Sequence, residues 1–122
     1  MKIKRIEPIA VSLPMAKPIK MAGVELRTAD NVLVRLETGD GIVGWGEAAS
    51  APTMTGETVE SSISRRRCRR STGGVSPTSP YLAEDILARP LEFSRGHAVV
   101  PSGPGLGIEV DEARVRRFAI KP

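Results

Sequence analysis

Residues 31–47 read NVLVRLETGDGIVGWGE, and this stretch decides the fold. Val32, Val34 and Leu36 alternate with Leu33, Arg35 and Glu37, the period-two pattern of a strand with two distinct faces. Thr38-Gly39-Asp40-Gly41 supplies turn chemistry, and Ile42, Val43 and Trp45 resume the pattern, so the segment predicts a β-hairpin. Trp45 stands between Gly44 and Gly46, which lets backbone approach closely while the indole covers apolar surface. Core packing is the role this arrangement predicts for it.

Upstream, Ile3 to Leu13 is rich in β-branched residues with Ile9, Val11 and Leu13 on one face, predicting a strand that ends at Pro14. Met15 to Ala29 contains Pro18 and Gly23 and keeps no period, so it reads as a long loop with a mobile tip. Downstream, Thr55-Gly56-Glu57-Thr58 reads as a helix N-cap with a carboxylate in the first turn. An arginine run and Gly73-Gly74 then stand where an apolar stripe would anchor that helix, so it is expected not to stay docked.

Residues 61–80, SSISRRRCRRSTGGVSPTSP, show neither a 3.6 nor a 2.0 hydrophobic period and read as a disordered junction. Order returns with the apolar segment Leu82 to Leu87, stopped by Pro90. Leu91 and Phe93 then face Ala98 and Val100 across Ser94-Arg95-Gly96-His97, a second and smaller hairpin. A glycine-rich loop from Pro101 to Gly107 leads to Asp111, which caps a short helix carrying Val115 and Phe118.

The 122 residues fall within the size of one domain, and burial rests on Ile, Val, Leu and Met, since Trp45, Tyr81, Phe93 and Phe118 are the only large rings. Marginal stability is the expectation. The formal net charge of +4 is local: the two flanking parts are close to neutral, and the excess is the Arg65 to Arg70 run. No aromatic residues interleave with that run to stack bases, which argues against nucleic-acid recognition and leaves weak polyanion binding as an alternative. Cys68 is the sole cysteine, so neither an intramolecular disulfide nor a Cys-based zinc site is available. The amino terminus has no signal-peptide core and no 18-residue apolar span, so a cytoplasmic protein is expected.

Chemistry-bearing patterns are sparse. Gly103, Gly105 and Gly107 lack the spacing of a dinucleotide fingerprint and the Gly-Lys-Ser/Thr ending of a P-loop, so turn geometry explains them. His97, the only histidine, lies in a turn without triad partners. Glu84-Asp85 and Asp111-Glu112 are adjacent carboxylates, an arrangement that does not converge on a metal, and Asp111 is better explained as a cap. No catalytic and no metal-ligating residues are assigned.

Asp30-Asn31-Val32-Leu33-Val34-Arg35-Leu36, Gly41-Ile42-Val43-Gly44-Trp45-Gly46-Glu47-Ala48 and Pro52-Thr53-Met54-Thr55-Gly56-Glu57-Thr58 together resemble a known pattern. It is the amino-terminal capping domain of the mandelate racemase/muconate lactonizing enzymes of the enolase superfamily. Tyr81-Leu82-Ala83-Glu84-Asp85-Ile86, Pro90-Leu91, Val99-Val100-Pro101 and Gly103 to Asp111 resemble the final segment of the same family. The resemblance implies an α+β fold: a three-stranded antiparallel meander of the capping domain plus the family's carboxyl-terminal segment, with the (β/α) barrel missing. A barrel of that kind takes about 250 residues. The implied organisation is 1–60 for the capping part, 61–80 for the junction and 81–122 for the final segment.

By the same resemblance, Pro14 to Thr28 corresponds to the mobile loop over the family's active site and Ala49 to Thr55 to the loop beside it. Lys17, Lys20, Met21, Val24, Thr53 and Met54 are the substrate-loop candidates this implies. The family's catalytic lysines and the acidic ligands of its Mg²⁺ belong to barrel strands that no position here matches, so Mg²⁺ is a cofactor of full-length members and is not expected to bind this chain. The implied parent is a racemase or cycloisomerase abstracting a proton α to a carboxylate, and this chain reads as an inactive remnant of it. The alternatives are a non-catalytic capping-like module, self-associating through an exposed apolar sheet face, and polyanion binding through Arg65 to Arg70.

Overall fold

The computed structural model describes residues 2–21, 23–50, 56, 58–64, 81–95 and 97–121. Three strands, β1 (Ile3–Met21), β2 (Val24–Thr38) and β3 (Val43–Ala49), form an antiparallel meander in the order β1-β2-β3. The hairpin expected over residues 31–47 is present, with Leu36 opposite Gly44 and Val34 opposite Gly46. Thr38 closes its turn: its N–H donates to the Ile42 carbonyl at 3.0 Å, and its hydroxyl accepts the Ile42 N–H at 3.0 Å. Gly41, at φ 84°, takes the left-handed position that turn requires.

Two expectations for the amino-terminal part are corrected. β1 does not end at Pro14, and Met15 to Ala29 is not a loop: the strand continues to Met21 and returns as β2, with Ile19 opposite Leu26 and Met21 opposite Val24. The reason lies in which way the proline points. The carbonyls of Ala10 and Pro14 accept N–H groups from outside the sheet, those of Ile120 and Ala83. Even-numbered residues here therefore face the outer edge, where the imino nitrogens of Pro8 and Pro14 cost no bond to β2. A register shift between Pro14 and Ile19 absorbs the remaining irregularity.

The helix expected near Thr55 is α1 (Val59–Ser64), and its cap is Thr58; Thr55 and Glu57 lie outside the described residues. Thr58 Oγ1 accepts the Ser61 N–H at 3.2 Å, and Ser61 Oγ accepts the Thr58 N–H at 3.0 Å, a reciprocal capping box. Glu60 in the first turn is held below the usual carboxylate range by its own backbone N–H and then by the Thr58 hydroxyl. Contrary to expectation the helix is docked: Val59 and Ile63, four residues apart and so on one face, pack on Ala10 and Val32. Ser61–Ser64, read from sequence as the start of the junction, belong to this helix, whereas Arg65 to Pro80 lie outside the described residues.

The carboxyl-terminal part covers the opposite face of the sheet. Ile86 and Val115 form one cluster with Val11, Leu13 and Leu33, flanked by Trp45, Leu82, Val110 and Phe118. Trp45 is half-buried against this cluster, in keeping with the packing role read from sequence. Helix α2 (Glu112–Phe118) delivers Val115, and Asp111 caps it as expected, its Oδ1 accepting the Ala113 and Arg114 N–H groups at 3.0 and 3.2 Å. The small hairpin is also present as β4 (Phe93–Ser94) and β5 (His97–Ala98), shorter than the Leu91 to Val100 span expected.

Both faces of the sheet thus carry a partner. Face A, bearing Val11, Leu13 and Leu33, is closed by residues 82–118; among the described residues, face B, bearing Ala10 and Val32, is covered in its middle by α1. Beyond α1, face B keeps Ile6 58% exposed beside half-buried Val34 and Leu36.

Candidate functional site

The substrate-loop candidates sort by place in the fold. Lys17 and Lys20 are exposed on the distal half of β1, Met21 is the last residue of that strand, and Val24, 40% exposed, opens β2 opposite it. Gly23, at φ 80°, makes the reversal between them. These four positions therefore share one two-stranded arm rather than a loop, and the arm's alternation sets Lys20 opposite Glu25. Arg27 and Glu25 form an ion pair of 2.8 Å on the same arm. Thr53 and Met54 lie outside the described residues.

Sequence reasoning missed a cluster of charge on face A at the end remote from the arm. Arg35 Nε donates to Glu112 Oε1 at 3.1 Å and its Nη1 to Glu37 Oε2 at 3.2 Å, while Lys4 Nζ donates to Glu37 Oε1 at 2.8 Å. The hydrogen bond from Lys4, and then that from Arg35, hold the Glu37 carboxyl below its ordinary range. The Glu112 and Glu37 carboxylates in turn raise Arg35. This cluster borders a groove of about 510 Å³ that also touches Arg5, Glu7 and Trp45. Alternation in residues 31–47 put Arg35 and Glu37 on one face, but no local signal named Glu112, which lies 77 residues away in sequence.

The chemistry of this cluster is that of a staple. Each carboxylate is opposed by a cation, so none stands ready as a base, and the groups tie α2 to the sheet. A second groove, of about 520 Å³, lies along Pro90, Val99, Pro101 and the Gly103 to Gly107 loop, and its charged members Arg89, Glu92 and Glu109 are not ion-paired with one another. The glycines there serve geometry: Gly107, at φ 66°, brings its backbone so near Pro101 that an added Cβ would lie 2.7 Å from the Pro101 carbonyl oxygen. Among the described residues no three His, Cys, Asp or Glu side chains converge to hold a metal ion. No helix among them is long and apolar enough to cross a membrane.

Comparison with known proteins gives the site its context. Residues 5–71 match the family described as "Mandelate racemase / muconate lactonizing enzyme, N-terminal domain". The L-Ala-D/L-Glu epimerase of Bacillus subtilis (strain 168) is 43% identical over 61 residues, 50% of this chain and 17% of that enzyme. The L-Ala-D/L-amino acid epimerase of Populus trichocarpa is 29% identical over 111 residues, 91% of this chain and 26% of the relative. A dipeptide epimerase from Enterococcus faecalis V583, solved with Mg and the dipeptide L-Leu-L-Tyr, superposes with a TM-score of 0.49 at 32% identity, covering 52% of this chain and 18% of that one. The chain thus spans about a quarter or less of the length of these relatives.

Proposed function

Because the chain belongs to the mandelate racemase/muconate lactonizing enzyme family, through that family's amino-terminal domain, we propose that it is a remnant of a Mg²⁺-dependent racemase or cycloisomerase acting on carboxylate substrates. In a full-length relative, residues of the barrel would take the proton α to the carboxylate, and bound Mg²⁺ would supply charge stabilisation there; no residue of this chain is assigned to either part. In this chain residues 1–60, with the rest of α1 to Ser64, supply the capping part, the remainder of 61–80 a junction and 81–122 the family's final segment. By itself the chain is inactive and cytoplasmic.

One observation carries the reading: the capping sheet is intact and closed on face A by residues 82–118, while the described residues hold no convergent metal-ligating group. The arm residues Lys17, Lys20, Met21 and Val24, with Thr53 and Met54, are proposed as the positions that contact substrate in a complete enzyme. In this chain Lys17 and Lys20 are exposed on the arm. The test is α-proton exchange: the purified chain, with Mg²⁺ and an Ala-Glu dipeptide in deuterated water, is followed by proton NMR. No exchange above the protein-free control is expected. Exchange that survives repurification would overturn the inactive reading and leave family membership untouched.

A second reading has its own observation. Face B keeps Ile6, Val34 and Leu36 partly in water beyond the short α1, the kind of uncovered apolar surface that drives association. The chain then acts as a non-catalytic capping-like module that self-associates.

A further inference from the structure

β3 is an open edge. Among the described residues it pairs with β2 alone, whereas the outer edge of β1 is engaged by Ala119 and Ile120 near Val11 and by Leu82 and Ala83 near Met15. The direction of the β3 backbone groups follows from the bonds at its two ends. Thr38 N–H donates to the Ile42 carbonyl at 3.0 Å, and Ser50 N–H donates to the Asp30 carbonyl at 3.0 Å. Alternation between these points turns the N–H and C=O of Gly44, Gly46 and Ala48 towards β2. Those of Val43, Trp45, Glu47 and Ala49 therefore point outward, where no strand among the described residues meets them.

Edges that must stay single usually carry lysine, proline or a bulge. β3 reads VGWGEAA, has none of these, and keeps an unbroken register with β2. Its one charge, Glu47, already accepts a hydrogen bond from Asn31 Nδ2.

We infer that β3 pairs with β3 of a second copy of this chain, antiparallel about a two-fold axis through Gly46, to make one continuous six-stranded sheet. In this register Val43 meets Ala49 of the second copy and Trp45 meets its Glu47, so every outward residue of both strands gains a mutual hydrogen-bonded pair. Sliding by two residues leaves an outward residue unpaired and sets either Trp45 against Trp45 or Glu47 against Glu47; the second opposes like charges. On face B the centred register places Gly46 against Gly46 and Gly44 against Ala48, so no bulk obstructs the joint. The half-buried Val34 and Leu36 of the two copies then line one shared apolar strip. This deepens the self-association reading by naming its surface, and it rests on backbone direction and register, not on ancestry.

The test uses cysteines placed on the full chain in a Cys68→Ser background. Gly44 and Gly46 each have open space where a Cβ would stand and neither has a positive φ, so both accept the change. At the two-fold axis the Gly46 pair is non-hydrogen-bonded, with Cα atoms about 4.5 Å apart, within disulfide reach. The Gly44 pair is offset by four residues, roughly 13 Å, and out of reach. Under mild oxidation Gly46→Cys is expected to trap a dimer and Gly44→Cys to remain monomeric. Light scattering should show a concentration-dependent dimer for Cys68→Ser alone and a monomer when Glu47→Pro removes an outward N–H. A monomer at every concentration, equal cross-linking at both positions, or a dimer dissolved by Leu36→Lys but untouched by Glu47→Pro would each overturn the edge pairing. None of these results bears on the α-proton exchange test.

Discussion

Val115→Ala is the sharpest probe of whether the carboxyl-terminal part belongs to the same folded unit as the sheet. Val115 is 1% exposed and enters the face A cluster beside Val11, Leu33 and Ile86. The substitution removes two methyl groups, worth about 1.6 kcal/mol at about 0.8 kcal/mol per buried carbon. The void of roughly 50 Å³ adds about 1 kcal/mol where the cluster cannot collapse. The expected loss is therefore about 2–3 kcal/mol, a fall of about 30- to 150-fold in the folding equilibrium. With a urea slope of about 1–3 kcal/mol per molar, the midpoint falls by about 0.7–3 M. Trp45, the sole tryptophan, borders the same cluster and reports the transition by fluorescence, while circular dichroism follows the backbone. Coincident transitions would show that α2 and the sheet unfold together. Val100→Ala is the control, since Val100 is 86% exposed and its loss should change stability by less than about 0.5 kcal/mol. Equal midpoints for the two variants would refute the packing of α2 on face A.

Other expectations follow from single contacts. Asp111→Ala removes the acceptor for the Ala113 and Arg114 N–H groups and should cost about 1 kcal/mol by urea titration, while Asp111→Asn retains most of the cap. Gly107→Ala should destabilise more than Gly105→Ala: both glycines have positive φ, each costing about 1 kcal/mol for a side chain, but only at Gly107 would the Cβ strike a backbone carbonyl. Glu37 is held low by Lys4 and then by Arg35, so its stabilising share is present above the unfolded carboxylate value of 4.5 and is lost as pH falls through the depressed folded value. Urea midpoints measured from pH 6 to pH 3 should therefore fall more steeply for the native chain than for Glu37→Gln; parallel curves would remove the Lys4–Glu37–Arg35 cluster from the acid response.

Local patterning was enough for the β2–β3 hairpin, for the Asp111 cap and for the small β4–β5 hairpin, because each is fixed by turn chemistry and alternation within about a dozen residues. It failed at Pro14, where a breaker was read without knowing which edge its nitrogen would face. It failed again at α1, where Val59 and Ile63 alone suffice as a stripe once Ala10 and Val32 lie beneath them. The site candidates Lys17, Lys20, Met21 and Val24 were read as part of a loop; that they lie on a paired arm depended on β2 returning alongside β1.

The sequence by itself determined the β2–β3 hairpin and the family, since these depend on residues near one another along the chain. The closure of face A by Ile86 and Val115, the Arg35–Glu112 staple and the open edge of β3 were decided only in three dimensions. Burial and ion pairing are satisfied by whichever group arrives at the surface, and chain order does not record which one that will be.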